Sequence, residues 1–262
     1  MRKAYVGTAH GQIHVLTSGE SGPVLMLVHW TPLSGRMFEG LAPLFVDAGF
    51  RVVAPDLLGY GRSDARPTEW SMAAWADSLA QVMDGLGIDR ASVLGGHNGA
   101  SITLELGIAQ PHRIDRLVLD GCPVLTDELR AAFSALVKST APTAAQDVFD
   151  RTVGLLAEYI PGYRPEGEGL ALLWPAMLDY LETGFIPSAA IAGAYDITES
   201  LPLAAQPMLV LGADMDSLHS TFDRSVARAN PIASHKFPGN HPIHFADRHA
   251  EYESVVSAFL KA

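Results

Sequence analysis

The sequence of 262 residues contains a single cysteine, Cys122. One cysteine excludes an internal disulfide and a cysteine-rich metal site. Charged residues are also scarce, at 18% of the chain, and acidic ones dominate them, so the net charge is −11. A protein that binds a nucleic-acid backbone needs a basic face, so this balance argues against a nucleic-acid partner.

Long hydrophobic runs are missing as well. The apolar stretches, such as Val24–Val28, are far shorter than the roughly 18 residues of a membrane span. The first residues, Met1-Arg2-Lys3-Ala4-Tyr5, lack the apolar stretch of a signal peptide. Apolar residues nevertheless make up 48% of the chain, enough to exclude a disordered protein and to fill a large core. We therefore expect an acidic, globular, cytoplasmic protein with no membrane partner.

Strand-like and helical patterns alternate through the first 120 residues. A hairpin over 4–17 precedes apolar runs at 24–28, 51–54, 91–94 and 116–119, and helical patterns separate these runs at 37–48, 70–86 and 99–110. This alternation predicts right-handed crossovers and a parallel sheet.

After Cys122 the helical stripes follow one another without strands, and an apolar run returns only at 207–212. The sequence therefore predicts a core domain built from residues 1–122 and 201–262. Residues 123–200 are predicted to form a helical cap over one end of the sheet.

The segment Gly95-Gly96-His97-Asn98-Gly99 joins a predicted strand to a predicted helix. Small residues on both sides of a central residue allow a sharp turn that pushes the central side chain out over the sheet. Ligands of parallel sheets bind at this carboxyl end of the strands. The turn could also be read one residue later, with Asn98 at its centre, but we prefer His97, because Gly95 and Gly99 then occupy both flanking positions.

With these motifs the chain resembles the α/β-hydrolase fold superfamily over nearly its whole length. The matching segments, in order, are His29-Trp30-Thr31-Pro32 after a strand, Asp56 through Asp64, Gly95-x-His97-x-Gly99 at the nucleophile elbow, Leu209–Asp216, and Gly239-Asn240-His241. The resemblance implies a mostly parallel central sheet flanked by helices, a helical cap insertion, and no metal or cofactor. Two residues depart from it, since His97 replaces the usual Ser, Asp or Cys and Trp30 replaces the usual Gly.

The same resemblance implies roles for the site residues. His241 is the expected partner of His97, with Asp216 or Asp214 orienting it. We favour Asp216, because a small and an aliphatic residue follow it as in the family. The backbone N–H groups of Thr31 and Asn98 would occupy the oxyanion-hole positions, where they stabilise a developing negative charge.

These expectations define a first hypothesis and two alternatives. The first is a cofactor-independent hydrolase of a small, largely apolar, ester-like carbonyl compound, with His97 at the elbow and His241–Asp216 as the acid/base pair. In it, base activation of water ranks above an acyl-imidazole intermediate, and the enzyme could be a homodimer. If the cap helices face the site, an apolar, aromatic-rich lining is expected from Trp30, Trp174, Met177, Tyr180 and Phe185. The alternatives are a lyase or isomerase that uses two histidines for proton transfer, and a ligand-binding member that has lost turnover.

Other candidate residues have simpler interpretations. We expect His29 to make structural hydrogen bonds, His244 to flank the cap or the surface, and Cys122 to pack in the core. Two histidines and a carboxylate could also bind a metal ion, but nothing in their spacing requires this.

Overall fold

The computed structural model describes residues 1–136, 144–160, 162–167, 169–183, 191, 194–244 and 246–262, and it is organised around an eight-stranded sheet. The strands are β1 (Arg2–Thr8), β2 (Gly11–Ser18), β3 (Val24–Val28), β4 (Arg51–Pro55), β5 (Ala91–Gly96), β6 (Ile114–Asp120), β7 (Met208–Ala213) and β8 (Ala233–Phe237). Their order across the sheet is β1-β2-β4-β3-β5-β6-β7-β8. β2 runs antiparallel to both of its neighbours, and every pair from β4 to β8 is parallel. The predicted fold class, a mostly parallel sheet flanked by helices, is confirmed.

The inner strands are apolar throughout because both faces of the sheet are covered. Leu25, Met26, Leu27 and Val28 of β3 are all fully buried. One core cluster contains Trp75 and Leu79, and a second core cluster contains Phe45 and Tyr252.

The helices flank this sheet and fill the segment between β6 and β7. They are α1 (Ala42–Asp47), α2 (Met72–Gly85), α3 (Asn98–Ala109), α4 (Asp127–Leu136), α5 (Ala145–Tyr159), α6 (Gly169–Thr183), α7 (Ile197–Ser200), α8 (Phe222–Ala229) and α9 (His249–Lys261). The helix predicted over 37–48 is instead a 3-10 turn at Gly35–Phe38 followed by α1. Pro43 lies in the first turn of α1, where its missing N–H costs nothing, so the α-helix begins just before it.

The described part of the region predicted as the cap contains helices α4 to α7, with loops and turns, and no strand. Thr126 accepts a hydrogen bond from the Leu129 N–H at 3.3 Å and so caps α4. α6 runs through Pro175 without a break. Leu156 and Leu173 pack with Leu33 of the loop after β3, which anchors these helices at the carboxyl end of the sheet. The limits 123 and 200 stay predictions.

A second contact between this region and the core is polar. Asp179 of α6 is buried and accepts hydrogen bonds from the Ser34 hydroxyl at 2.8 Å and from Arg36 Nη1 at 3.2 Å. Ser34 and Arg36 belong to the loop that follows β3. Within the described ranges, no helix is long and apolar enough to cross a membrane.

Candidate functional site

The turn between β5 and α3 places His97 in a strained backbone conformation. Its φ of 51° and ψ of −117° lie where non-glycine residues seldom occur, at a cost of about 1–3 kcal/mol. The turn is held by the His97 N–H, which donates to the Asp120 carbonyl at 2.8 Å. Gly99 has no room for a side chain, since a Cβ there would lie 2.6 Å from the Val28 carbonyl oxygen. The sharp strand-to-helix turn predicted from the glycine spacing is therefore present.

The imidazole of His97 is bonded to a carboxylate. Its Nε2 lies 3.1 Å from Oδ2 of Asp216, and both residues are buried, with 6% and 2% of their surface exposed. The Cδ2–Nε2 edge of the ring faces Gly121, where a Cβ would lie only 2.5 Å from Cδ2. Asp216 Oδ1 accepts a further bond from the Leu218 N–H at 2.7 Å.

The surroundings of Asp216 keep it ionised. Burial by itself raises the pKa of this carboxyl, but the charge and the hydrogen bond of His97 outweigh it. With smaller contributions from His241 and the Leu218 N–H, they hold the pKa well below its usual range. Asp214, the other candidate for the acid, is half exposed and pairs with Lys236 Nζ at 3.2 Å. Of the two carboxylates, Asp216 is the one that reaches the elbow.

His241 pairs with a different carboxylate. Its Nε2 lies 2.9 Å from Oδ1 of Asp120, the last residue of β6, and the Tyr252 hydroxyl donates to Oδ2 of the same group at 2.7 Å. The Ile243 N–H donates to Nδ1 of His241 at 3.3 Å. Nδ1 therefore acts as an acceptor and Nε2 carries the proton given to Asp120.

The predicted hydrogen-bonded pair of His241 and Asp216 is thus wrong. In the sheet, β6 is separated from β8 by β7 alone. The carboxylate at the tip of β6 is therefore within reach of the loop after β8, which carries His241. Asp216 follows the end of β7 by three residues, and this extra length carries it to His97 instead.

Asp120 and Tyr252 were not among the predicted site residues. Asp120 had a signal in the sequence, because a carboxylate ends the buried run Leu117-Val118-Leu119 at the ligand-binding edge of a parallel sheet. Tyr252 had none, since it lies in the last helix, far from any motif. Burial, with the adjacent Asp120 charge, raises the pKa of Tyr252 well above its usual value, so its hydroxyl stays protonated.

The indole of Trp30 lies against three histidines and is fully buried. It stacks on His97 with the ring centres 4.2 Å apart and the planes 12° from parallel. Its edge contacts are with His241, at 5.5 Å between centres, and His244, at 4.9 Å. The ring occupies the space over Gly96, where a Cβ would lie 1.2 Å from the indole Nε1. The two imidazoles bond separate carboxylates, His97 to Asp216 and His241 to Asp120, and Trp30 contacts both rings.

Burial keeps two other histidines, His29 and His244, in the neutral form. His29 accepts from the Leu57 N–H at Nε2, 2.9 Å away, and its Nδ1 lies 3.0 Å from the Trp30 carbonyl, as a structural role requires. Burial lowers the pKa of His29 against the opposing charge of Asp56. Burial, assisted by the charge of His241, lowers the pKa of His244 to about 3. Burial likewise raises the pKa of Cys122 to about 12, which keeps the thiol protonated.

The predicted binding residues divide into two groups. Asn98 Nδ2 donates to the Thr31 hydroxyl at 2.7 Å, so the two residues assigned to the oxyanion hole touch each other beside the elbow. Trp174 instead lies on α6 with 63% of its surface exposed, which gives no support to its predicted place in an aromatic lining. The side chain of Tyr180 and all of Phe185, expected in the same lining, fall outside the described residues.

Metal coordination has no support in the described ranges, which contain no group of three His, Cys, Asp or Glu side chains placed to hold an ion.

Comparison with known proteins relates the chain to hydrolases. A 2-hydroxymuconate semialdehyde hydrolase of Pseudomonas putida is 36% identical over 105 residues, which are 39% of this chain and 37% of that protein. A haloalkane dehalogenase of Mycolicibacterium paratuberculosis is 32% identical over 111 residues, 41% of this chain and 37% of that protein. The matches thus span well under half of the length of these curated relatives.

The whole fold has counterparts among solved structures. A hydrolase from Pseudomonas aeruginosa PA01 aligns with a TM-score of 0.85 and 23% identity over 99% of this chain and 98% of that one. A family model described as the alpha/beta hydrolase fold matches residues 23–164, more than half of the chain. The protein therefore belongs to the alpha/beta hydrolase fold family.

Proposed function

We propose that the protein is a cofactor-independent hydrolase of a small carbonyl compound, in which the dyad of His97 and Asp216 acts as a general base. The observation that carries the proposal is the 3.1 Å contact between His97 Nε2 and Asp216 Oδ2 at a strained elbow. A carboxylate behind an imidazole fixes its tautomer and stabilises the imidazolium that forms when the ring accepts a proton. Strain at a buried turn is also typical of a functional position.

The proposed proton path uses one nitrogen of the ring. Because Nε2 bonds Asp216, Nδ1 of His97 takes the proton from a water molecule as the water oxygen attacks the substrate carbonyl. The imidazolium then returns the proton to the leaving group, so the ring ends as it began. The backbone N–H groups of Thr31 and Asn98, whose side chains touch beside the elbow, are the proposed donors for the oxyanion.

His241 has a supporting part in this mechanism. Its two ring nitrogens are engaged by Asp120 and by the Ile243 N–H, and the residue is fully buried. A ring held in this way is a poor proton carrier, so we assign the base to His97 and not to His241. This revises the expected division of labour between the two histidines.

A second candidate function is proton transfer to or from carbon, as in a lyase or isomerase. The absence of a hydroxyl, thiol or carboxylate at position 97 suits this chemistry as well as the first candidate, because neither needs a covalent adduct with the protein. The same dyad would then remove a proton next to the carbonyl group, and the same donors would stabilise the enolate. The relative that acts on 2-hydroxymuconate semialdehyde suggests that compound as a first substrate for both candidates.

The test uses variants of the dyad and a matched pair elsewhere in the chain. His97→Gln keeps the size and one hydrogen bond of the side chain but removes the base, and Asp216→Asn removes the charge behind it. His14→Gln is the control, because His14 Nδ1 lies 2.9 Å from Asp56 Oδ2 in another buried histidine–aspartate pair. Each variant is assayed on activated esters and on 2-hydroxymuconate semialdehyde, after circular dichroism has shown that it is folded.

We expect His97→Gln to lose about 10²–10⁴-fold in kcat, the usual contribution of a general base, with His14→Gln close to wild type. Equal activity of wild type, His97→Gln and His97→Ala would remove the dyad from the reaction. An inert wild type together with an active His97→Ser variant would favour a binding protein that has lost turnover. A mass increase on His97 during turnover would identify an acyl-imidazole and replace the water-activation route.

A further inference from the structure

The face of the His97 imidazole is covered by an indole. The centres of the Trp30 and His97 rings are 4.2 Å apart, and their planes differ by 12°. The face of an indole carries negative electrostatic potential and attracts a cation placed over it, within about 6 Å of the ring centre. An imidazolium at position 97 would therefore be stabilised more than a neutral imidazole.

The position of the indole is fixed by the backbone beneath it. A Cβ on Gly96 would lie 1.2 Å from Nε1 of Trp30 and 2.0 Å from its Cδ1, so the ring rests on a strand that has no side chain there. Trp30 is fully buried, and it also makes T-shaped ring contacts with His241 and His244. The stack on His97 is thus part of a packed core.

The charged and titratable groups that face His97 act from different directions. Asp216 bonds the ring edge at Nε2, and the Asp120 carbonyl accepts from the backbone N–H of the same residue. His241 is held by Asp120, and burial keeps His244 neutral over the physiological range. Trp30 stacks on the face of the ring and Asp216 bonds its edge, so the effect of the indole can be separated from that of Asp216.

We propose that Trp30 is a positioning residue, which holds the plane of the His97 ring toward Asp216 and stabilises the imidazolium formed when His97 accepts a proton. The inference deepens the proposed function, and the catalytic role of Trp30 rests on that function. The effect of Trp30 on the proton affinity of His97 does not, and it can be measured without a substrate. It assigns Trp30 a role different from pocket lining, which a fully buried ring does not serve.

The first experiment keeps the shape of the indole and changes its charge distribution. The full-length protein is produced with fluorinated tryptophans carrying one, two or three fluorine atoms, each of which weakens the attraction of the ring for a cation. The sequence contains four tryptophans, and Trp30 is the one stacked on His97. The titration of the His97 ring is followed by NMR of its Cε1–H group, assigned with His97→Gln.

We expect the titration midpoint of His97 to fall stepwise with fluorination, to a total of about 0.5–1 pH unit, a threefold to tenfold loss of proton affinity. A midpoint that stays constant across the series would overturn the proposal, because a ring that only fills space is insensitive to fluorination.

The second experiment uses single substitutions. Trp30→Phe keeps an aromatic face of weaker attraction, and Trp75→Phe is the control, since Trp75 is a buried tryptophan of the other core cluster. We expect Trp30→Phe to lower both the His97 midpoint and the acidic limb of the kcat profile, while Trp75→Phe leaves both unchanged. Equal midpoints in Trp30→Phe and wild type would contradict the inference. A lowered midpoint in a protein that turns over no substrate would support the ring pair and refute the proposed function.

Discussion

Replacing Gly96 by alanine tests how firmly the Trp30 ring is seated under the elbow. The new Cβ would lie 1.2 Å from Nε1, 2.0 Å from Cδ1 and 2.3 Å from Cε2 of Trp30, so its three nearest atoms all belong to the indole. Carbon atoms in contact stand about 3.5–4.0 Å apart, and the ring must therefore shift by about 2 Å. The backbone itself accepts alanine, because Gly96 does not have a positive φ.

The expected cost follows from the packing of that ring. Overpacking a core costs about 1–3 kcal/mol, and the displacement of a fully buried ring places Gly96→Ala at the upper end, about 3 kcal/mol. Trp30→Ala should cost about 3–5 kcal/mol by leaving a cavity. In that background the obstacle is gone, so Gly96→Ala should cost less than about 0.5 kcal/mol. The coupling between the two positions is then about 2–3 kcal/mol.

Urea unfolding followed by circular dichroism gives the four free energies of unfolding in this double-mutant cycle. Gly7→Ala is the control, because a Cβ at this strand position meets nothing within 4 Å and should change stability little. If the costs of Gly96→Ala and Trp30→Ala add up to the cost of the double variant within about 0.5 kcal/mol, the two residues do not compete for one space. That result would refute the packing on which the stacked arrangement depends.

Three further predictions concern buried groups of the site. Tyr252→Phe removes the 2.7 Å bond to Asp120 and should lower the free energy of unfolding by about 1–3 kcal/mol in urea melts; an unchanged midpoint would show that the bond contributes nothing. The pKa of Asp216 is lower in the folded than in the unfolded protein, so its ionisation stabilises the fold fully above its ordinary pKa, and this stability is lost as the pH falls toward the folded value. The melting temperature should therefore fall less steeply between about pH 5 and 2 in Asp216→Asn than in wild type. Parallel curves of melting temperature against pH would contradict the lowered pKa of Asp216. Because the pKa of Cys122 is raised to about 12, the native thiol should react with iodoacetamide at pH 8 far more slowly than the urea-unfolded thiol, and equal rates would contradict its burial.

The elbow could be predicted because its determinants are local. A run of apolar residues, closely spaced glycines and a following helical pattern specify a strand, a sharp turn and a helix within ten residues. The structure places His97 at the centre of that turn with a positive φ, as the glycine spacing required. The prediction of a helix over 37–48 is wrong for an equally local reason, because Pro43 favours the first turn of a helix and α1 therefore begins at Ala42.

The partners of the histidines could not be predicted in the same way. Asp216 and Asp120 lie 119 and 121 residues from the histidines that they bind, and the choice between them depends on strand order and loop length. A loop of three residues after β7 was enough to direct Asp216 to His97. Tyr252 joins the site from a helix with no motif, which only packing against the sheet could reveal.

By itself, the sequence determined the parallel sheet, the order of its strands along the chain and the identity of the elbow residue. These follow from apolar periodicity and glycine spacing, which act over a few residues. The tertiary structure alone decided that the two imidazoles bind separate carboxylates with Trp30 packed against both. That arrangement depends on which strand tips become neighbours and on the space above Gly96. Both are set by segments that are far apart in the sequence, so no single segment determines them.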